Sequence, residues 1–195
     1  MALHKLVRLA SKFVKNLLNN QLYSNMHFHN ILHTQYVVNA VTEICFQCKI
    51  SDHEMAILKT AAWFHDTGYC YAYSGHEDSS IGIVATFLKQ EDANPEFTND
   101  VIACIESTKM PQSPKNLLQQ IMCDADMFDL ADNDYPTYAA QLRSEWELIL
   151  NKRYSDEEWR QTNLNMLIQH KYFTNYGKTV LQEHKLANID KLLQQ

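Results

Sequence analysis

Residues 51–69 read SDHEMAILKTAAWFHDTGY. Ser51 and Glu54 have the spacing of a capping box, in which each side chain satisfies a backbone N–H of the other residue. The apolar run MAILKTAAWF follows, so the pattern predicts a helix over about 51–65. That helix ends on His65-Asp66, just before Gly68 releases the chain. Two ionisable side chains at the tip of an apolar helix are costly to bury unless something pairs with them. Neighbours on a straight helix point about a third of a turn apart. At a helix end the backbone can bend, and an imidazole and a carboxylate can converge on one cation.

Similar punctuation recurs along the chain. Asn94-Pro95 predicts a cap and a first-turn proline before VIACI. Ser113-Pro114 is expected to do the same before NLLQQIM, and Asp134-Tyr135-Pro136 before YAAQLRSEWELIL. Ser155 and Glu158 form a second capping box, and Tyr176-Gly177 is expected to separate the last two helices. No run of alternating β-branched residues suggests a strand. The expected fold is all-α, one domain over 1–195 of eight or nine helices. Its core spans about 25–132, with additional C-terminal helices over about 133–195.

Composition agrees and excludes some functions. The chain has 195 residues, only four Gly and four Pro, and a formal net charge of −6. Nucleic-acid binding normally needs a basic face, so no nucleic-acid partner is expected. Five cysteines are an odd number; Cys45 and Cys48 make a lone CxxC with no second pair for a zinc ribbon. Buried, reduced cysteines and a cytoplasmic location are the expectation. The N-terminal stretch MALHKLVRLASKFVKNLLNN is broken by Lys5, Arg8, Lys12 and Lys15. It therefore lacks the apolar run of a secretory signal. Leu6, Ala10, Phe13, Val14 and Leu17 instead trace the stripe of a packing helix. No stretch has transmembrane length, and no membrane partner is expected.

HFHNILHT, residues 27–34, holds three of the nine histidines. On a helix His29 and His33 would share a face, while His27 points away. The zinc-protease pattern requires Glu after the first His of HxxxH, and here that position is Asn30. Two imidazoles are also too few for a metal site. Partners are available in WFHDTGY and in IMCDADMFDL, which carries Asp124, Asp126 and Asp129 in an otherwise apolar segment.

In that order, His33, then His65-Asp66, then DADMFDLA, the chain resembles the HD superfamily of metal-dependent phosphohydrolases, over roughly residues 25–132. The apolar residues around HTQYVVNAV, LKTAAWFHDTGY, GHEDSSIGIVATFL and CDADMFDLA fit as well. The resemblance implies an HD-domain helical bundle in which His33, His65, Asp66 and Asp126 bind a divalent ion. Asp124 competes with Asp126 for the last place, because residues two apart on a helix do not both face one ion. FHNILH is also similar to the YHNxxH motif of cyclic-nucleotide phosphodiesterases in the same superfamily. That likeness implies that His29 is a general acid and leaves His27 a bystander.

The resemblance further implies hydrolysis of a small phosphate substrate, such as a nucleotide, cyclic nucleotide or pyrophosphate, by a metal-activated water. Catalytic expectations are His29, Asp66, Glu77, placed to orient the water, and Lys109, placed to meet a phosphate. Asp78 is expected to cap its helix. Mixed nitrogen and oxygen ligands suit Mn, Fe, Co, Ni or Zn, with Mg a further candidate. Two-metal members often carry an extra histidine after the His-Asp pair, for which His76 is available, and another near CIESTK, where Glu106, Ser107, Thr108 and Lys109 stand and no histidine does. One tightly held ion is therefore the expectation. A homodimer is an assembly common in helical hydrolases of this size. The alternative reading is a non-catalytic HD module that binds a nucleotide or protein partner and uses its metal for structure or sensing.

Overall fold

The computed structural model describes residues 3–194. Among them are nine α-helices and no strand. The opening segment becomes α3 (Asp52–Phe64), and both halves of its capping box form. Ser51 Oγ accepts from the Glu54 N–H at 3.3 Å, and Glu54 Oε2 accepts from the Ser51 N–H at 2.9 Å. Every residue from 60 to 70 is buried. The helix packs against α1 (Leu3–Gln21), α2 (Ile31–Cys48), α4 (His76–Gln90), α5 (Pro95–Ser107) and α6 (Leu117–Asp126). Fully buried Ile57, Leu58 and Phe64 each contribute about 1.5–3 kcal/mol by leaving water. His65 and Asp66 thus sit at the end of a deeply enclosed helix.

Helix α1 joins the same apolar cluster through Leu6, Ala10, Val14, Leu17 and Leu18, so the core begins well before residue 25. Phe13 lies at the edge of this face and packs on Phe64 and Phe87. Three further helices follow: α7 (Tyr135–Ile149), α8 (Asp156–Gln169) and α9 (Gln182–Leu193). A second, smaller cluster of Leu130, Tyr135, Leu164, Leu167 and Ile189 ties them to the short 3-10 turn Phe128–Ala131. All five cysteines are free, and all but Cys48 are buried.

Asn94 caps α5 through the Glu96 N–H, and Ser155 and Glu158 complete the second capping box. Two expected boundaries move. Helix α6 is capped by Asn116, whose Oδ1 accepts from the Gln119 N–H at 3.0 Å, and not by Ser113. Pro114 precedes that cap. Gly177 does not separate the last helices: the break lies at residues 170–174, and Gly177 opens a π-helical turn, Gly177–Leu181, that runs into α9. Its lack of a side chain has a different cause. A Cβ there would come within 2.3 Å of Asp124 Oδ2 and 2.7 Å of Tyr172 Cβ.

A buried histidine and aspartate cluster as candidate metal centre

Asn30, just ahead of α2, determines how HFHNILHT is used. Its Oδ1 accepts from the Leu32 and His33 N–H groups, and its Nδ2 donates to the His27 carbonyl. His33 therefore lies in the first turn of α2, whereas His29 precedes the helix and does not stack one turn below His33 as the spacing suggests. The two rings still meet, edge to face with centroids 5.7 Å apart. His27 is exposed.

His33 Nε2 lies 3.4 Å from Asp66 Oδ2, and His65 Nε2 lies 3.1 Å from the same oxygen. Asp126 Oδ1 completes the group, 3.3 Å from His65 Nε2 and 3.9 Å from His33 Nε2. His33, His65 and Asp66 are buried, and each presents one donor atom within 4.8 Å of the others. Donor atoms bound to one ion at about 2.0–2.2 Å lie roughly 3–3.5 Å apart, which matches this spacing.

The hydrogen bonding of the cluster is of a kind that a cation could complete. His65 Nδ1 is 2.9 Å from the Ala62 carbonyl, a contact that places a proton on Nδ1 and leaves the Nε2 lone pair toward Asp66. His65 Nε2 and Asp66 Oδ2 are both buried without a hydrogen-bond partner. A lone pair facing a carboxylate oxygen at 3.1 Å is repulsive unless positive charge lies between them. In the ion-free protein a proton can supply it. Burial disfavours charge on both groups, but the Asp66 and Asp126 carboxylates hold His65 well above its usual range. The surrounding imidazoles likewise hold Asp66 well below the carboxylate range despite its burial. A divalent ion would replace that proton.

Asp124 faces elsewhere. Its Oδ1 accepts from the Phe173 N–H at 2.7 Å, and its Oδ2 from the Thr174 N–H and hydroxyl at 2.9 and 2.7 Å. Those donors account for it as a structural carboxylate, and the place beside His65 belongs to Asp126.

Gly68 brings in the next residues. A Cβ at Gly68 would lie 1.8 Å from the His76 carbonyl oxygen, so only glycine permits α4 to start this close to α3. His76 Nε2 reaches 3.3 Å from Asp66 Oδ1, and its ring stacks on Tyr69 at 3.8 Å. Burial works against charge on His76, yet Asp66 and Glu77 raise its pKa. Glu77 Oε2 lies 3.6 Å from His76 Nδ1, and Glu77 lines the cavity over the cluster. Lys109 is not brought there. Its ammonium pairs with Asp78 at 2.6 Å on the surface, where the two long chains remain in water. Asp78 thus serves that pair, and the N-cap position of α4 is Gly75, with no side-chain cap.

Two residues with no assigned role in the sequence reading line or support the site. Glu145 of α7 has a fully buried side chain and binds the His29 ring at Nδ1. It also accepts from the Phe28 N–H at 2.9 Å, the His29 N–H at 3.0 Å and the Tyr73 hydroxyl at 3.0 Å. Burial raises its pKa, but bonding to His29 more than offsets this and holds it below the usual value. Asp129, in the 3-10 turn after α6, lines the same cavity; burial and the nearby Asp126 push it up to about 7. Trp146 also lines this cavity. The cavity measures about 440 Å³, within the range of small-molecule sites.

No family model matches the chain, and no curated protein sequence matches it. Its fold is similar to the crystal structure of the Lin1889 protein from Listeria innocua, with a TM-score of 0.69. The match has 17% sequence identity and covers 100% of this chain and 95% of that one. At that identity the likeness is one of fold. No helix among the described residues is long and apolar enough to cross a membrane.

Proposed function

We infer that the protein is a metal-dependent phosphohydrolase acting on a small phosphorylated substrate in the cavity above Asp66. The observation that carries this reading is the convergence of His33, His65, Asp66 and Asp126, with two buried donor atoms left unsatisfied by protein. These four residues would hold a divalent ion. When bound, such an ion lowers the pKa of water and offsets charge on phosphoryl oxygens.

The remaining work falls to the chain's own groups. His29 carries the proton for the leaving oxygen at Nε2, since Nδ1 is taken by Glu145. The Glu145 carboxylate fixes the orientation of the ring, as an orienting acid does in other acid–base pairs. Glu77, beside His76 on the cavity wall, accepts a hydrogen bond from the attacking water. Tyr69 and Phe28 pack against His29 and His33 and keep bulk water from this side.

The test is ion content after anaerobic purification, then a screen of phosphorylated metabolites with Mn, Fe, Co, Ni, Zn and Mg in turn. Wild type should bind one ion tightly and hydrolyse a subset of phosphoesters. His33→Ala should lose the ion and slow hydrolysis on the order of 10³-fold. Wild-type turnover by His33→Ala would sink the mechanism. Tight nucleotide binding without turnover, with every metal, would favour the non-catalytic module instead.

A further inference from the structure

The lining of the cavity combines two chemistries. His33, Asp66 and Asp126, which would hold the ion, line it together with His76 and Glu77. Apolar lining comes from Met127, Leu130, Leu142, Trp146, Leu150 and Met166, the last four from α7, its C-terminal cap and α8. Leu150 is half exposed. Among the described residues no Lys or Arg lines the cavity, whereas Asp66, Glu77, Asp126 and Asp129 do. Two cations of neighbouring segments are committed elsewhere. Lys109 is paired with Asp78, and Arg143 with Glu147 and Asp156.

A polyphosphate carries several charges, and sites for such groups supply Lys, Arg or backbone N–H clusters to match them. Here the positive charge offered to a phosphoryl group would be that of the bound ion. One phosphoryl group can be matched there; a second would face carboxylates or an apolar wall. Apolar lining beside a single polar anchor suits an ester group that leaves water on binding.

Resting on the reading of the cluster as a phosphoester-hydrolysing centre, we propose that the cavity takes phosphate mono- or diesters with a bulky apolar esterified group. It selects against pyrophosphate and polyphosphates. The C-terminal helices α7 and α8 contribute Leu142, Trp146 and Met166 to the apolar lining that sets this preference.

The test measures binding and turnover separately. Calorimetry on the Mn²⁺-loaded full chain, at a fixed excess of free Mn²⁺, compares 2-phenylethylphosphonate, ethylphosphonate and methylenediphosphonate. The phenylethyl compound should bind on the order of 30-fold more tightly than the ethyl one, with the diphosphonate weakest. Trp146→Ala should reduce the ratio to about 3-fold, and Leu142→Ala is a second truncation should the first fail to fold. Leu150→Arg should strengthen diphosphonate binding by about 10-fold. A ratio near one, a wild-type preference for the diphosphonate, or an unchanged ratio in both truncations overturns the proposal.

Turnover of 2-phenylethyl and ethyl phosphate, whose leaving alcohols are of like acidity, separates this proposal from the reading beneath it. Binding selectivity without hydrolysis of either ester defeats the hydrolytic reading and upholds the selectivity. Hydrolysis of both with equal kcat/KM defeats the selectivity and leaves the hydrolytic reading standing.

Discussion

Asp66 and Asp124 are both buried carboxylates at helix ends, yet their surroundings differ. Asp124 is met by two backbone N–H groups and the Thr174 hydroxyl, all from the segment leading into α9. Asp66 is met by imidazoles alone, and its Oδ2 has no hydrogen-bond partner. A carboxylate fully served by protein donors holds a fold together. One surrounded by imidazoles, with an oxygen left unpartnered, is where the proposed ion would sit.

The largest expected effect separates these two roles. Asp66→Asn should weaken divalent-ion affinity by on the order of 100-fold or more, as loss of a ligand must at least match loss of its supporting contacts. Asp124→Asn should leave ion affinity near wild type and lower stability by about 2–3 kcal/mol, since an amide N–H₂ would face donors that need an acceptor. Ion titration and urea unfolding on both variants decide the matter. Comparable ion loss in Asp124→Asn would dissolve the distinction.

The same contrast explains what could be read from sequence. His65 and Asp66 were legible because helix start, apolar run and helix end all lie within one short segment. The choice between Asp124 and Asp126 depended on what each faces, and the donors for Asp124 arrive about fifty residues later. Glu145 was missed because it lies 116 residues from His29 and belongs to no local motif. A signal was present: Leu142, Glu145, Trp146 and Ile149 recur at helical spacing, which places a carboxylate on an otherwise apolar stripe. The misplaced break at Gly177 has a related cause. Glycine there answers the approach of Asp124, a tertiary contact that turn chemistry does not reveal.

A histidine comparison gives the next effect. His65 and His76 face carboxylates and are raised, whereas His170, half-buried beside the Lys185 ammonium, is lowered to about 4. Lys185 Nζ sits 3.3 Å from His170 Nδ1 and donates to the His170 carbonyl at 2.6 Å. For His170 the unfolded chain takes up a proton near 6.5 while the folded chain does not, so its contribution is present above that pH. It is lost as pH falls through the folded value. His170→Asn retains an acceptor for Lys185 and removes the titration. Between pH 7 and 4.5, wild type should lose about 2 kcal/mol more than the variant in urea unfolding. Parallel profiles would show that His170 is protonated without cost in the fold.

Two helix caps supply the finest comparison, because one lies at the cluster and the other at the far end of the helix that carries it. Ser51 caps α3 fourteen residues before His65, and Asn30 caps α2 three residues before His33. Replacing either by alanine removes an acceptor for orphan N–H groups and should cost about 1 kcal/mol of stability. Their effects on the ion should differ. Ser51→Ala leaves the buried span 60–70 in place, so affinity should stay at the wild-type value. Asn30 also ties the His27 carbonyl to the start of α2, and so governs where the chain bends between His29 and His33. Asn30→Ala should therefore weaken ion binding by about 10-fold, the scale on which contacts supporting a ligand act. Equal ion affinity in the two variants would mean that packing of Phe28 against the His33 ring, and not the cap, holds that ligand in position.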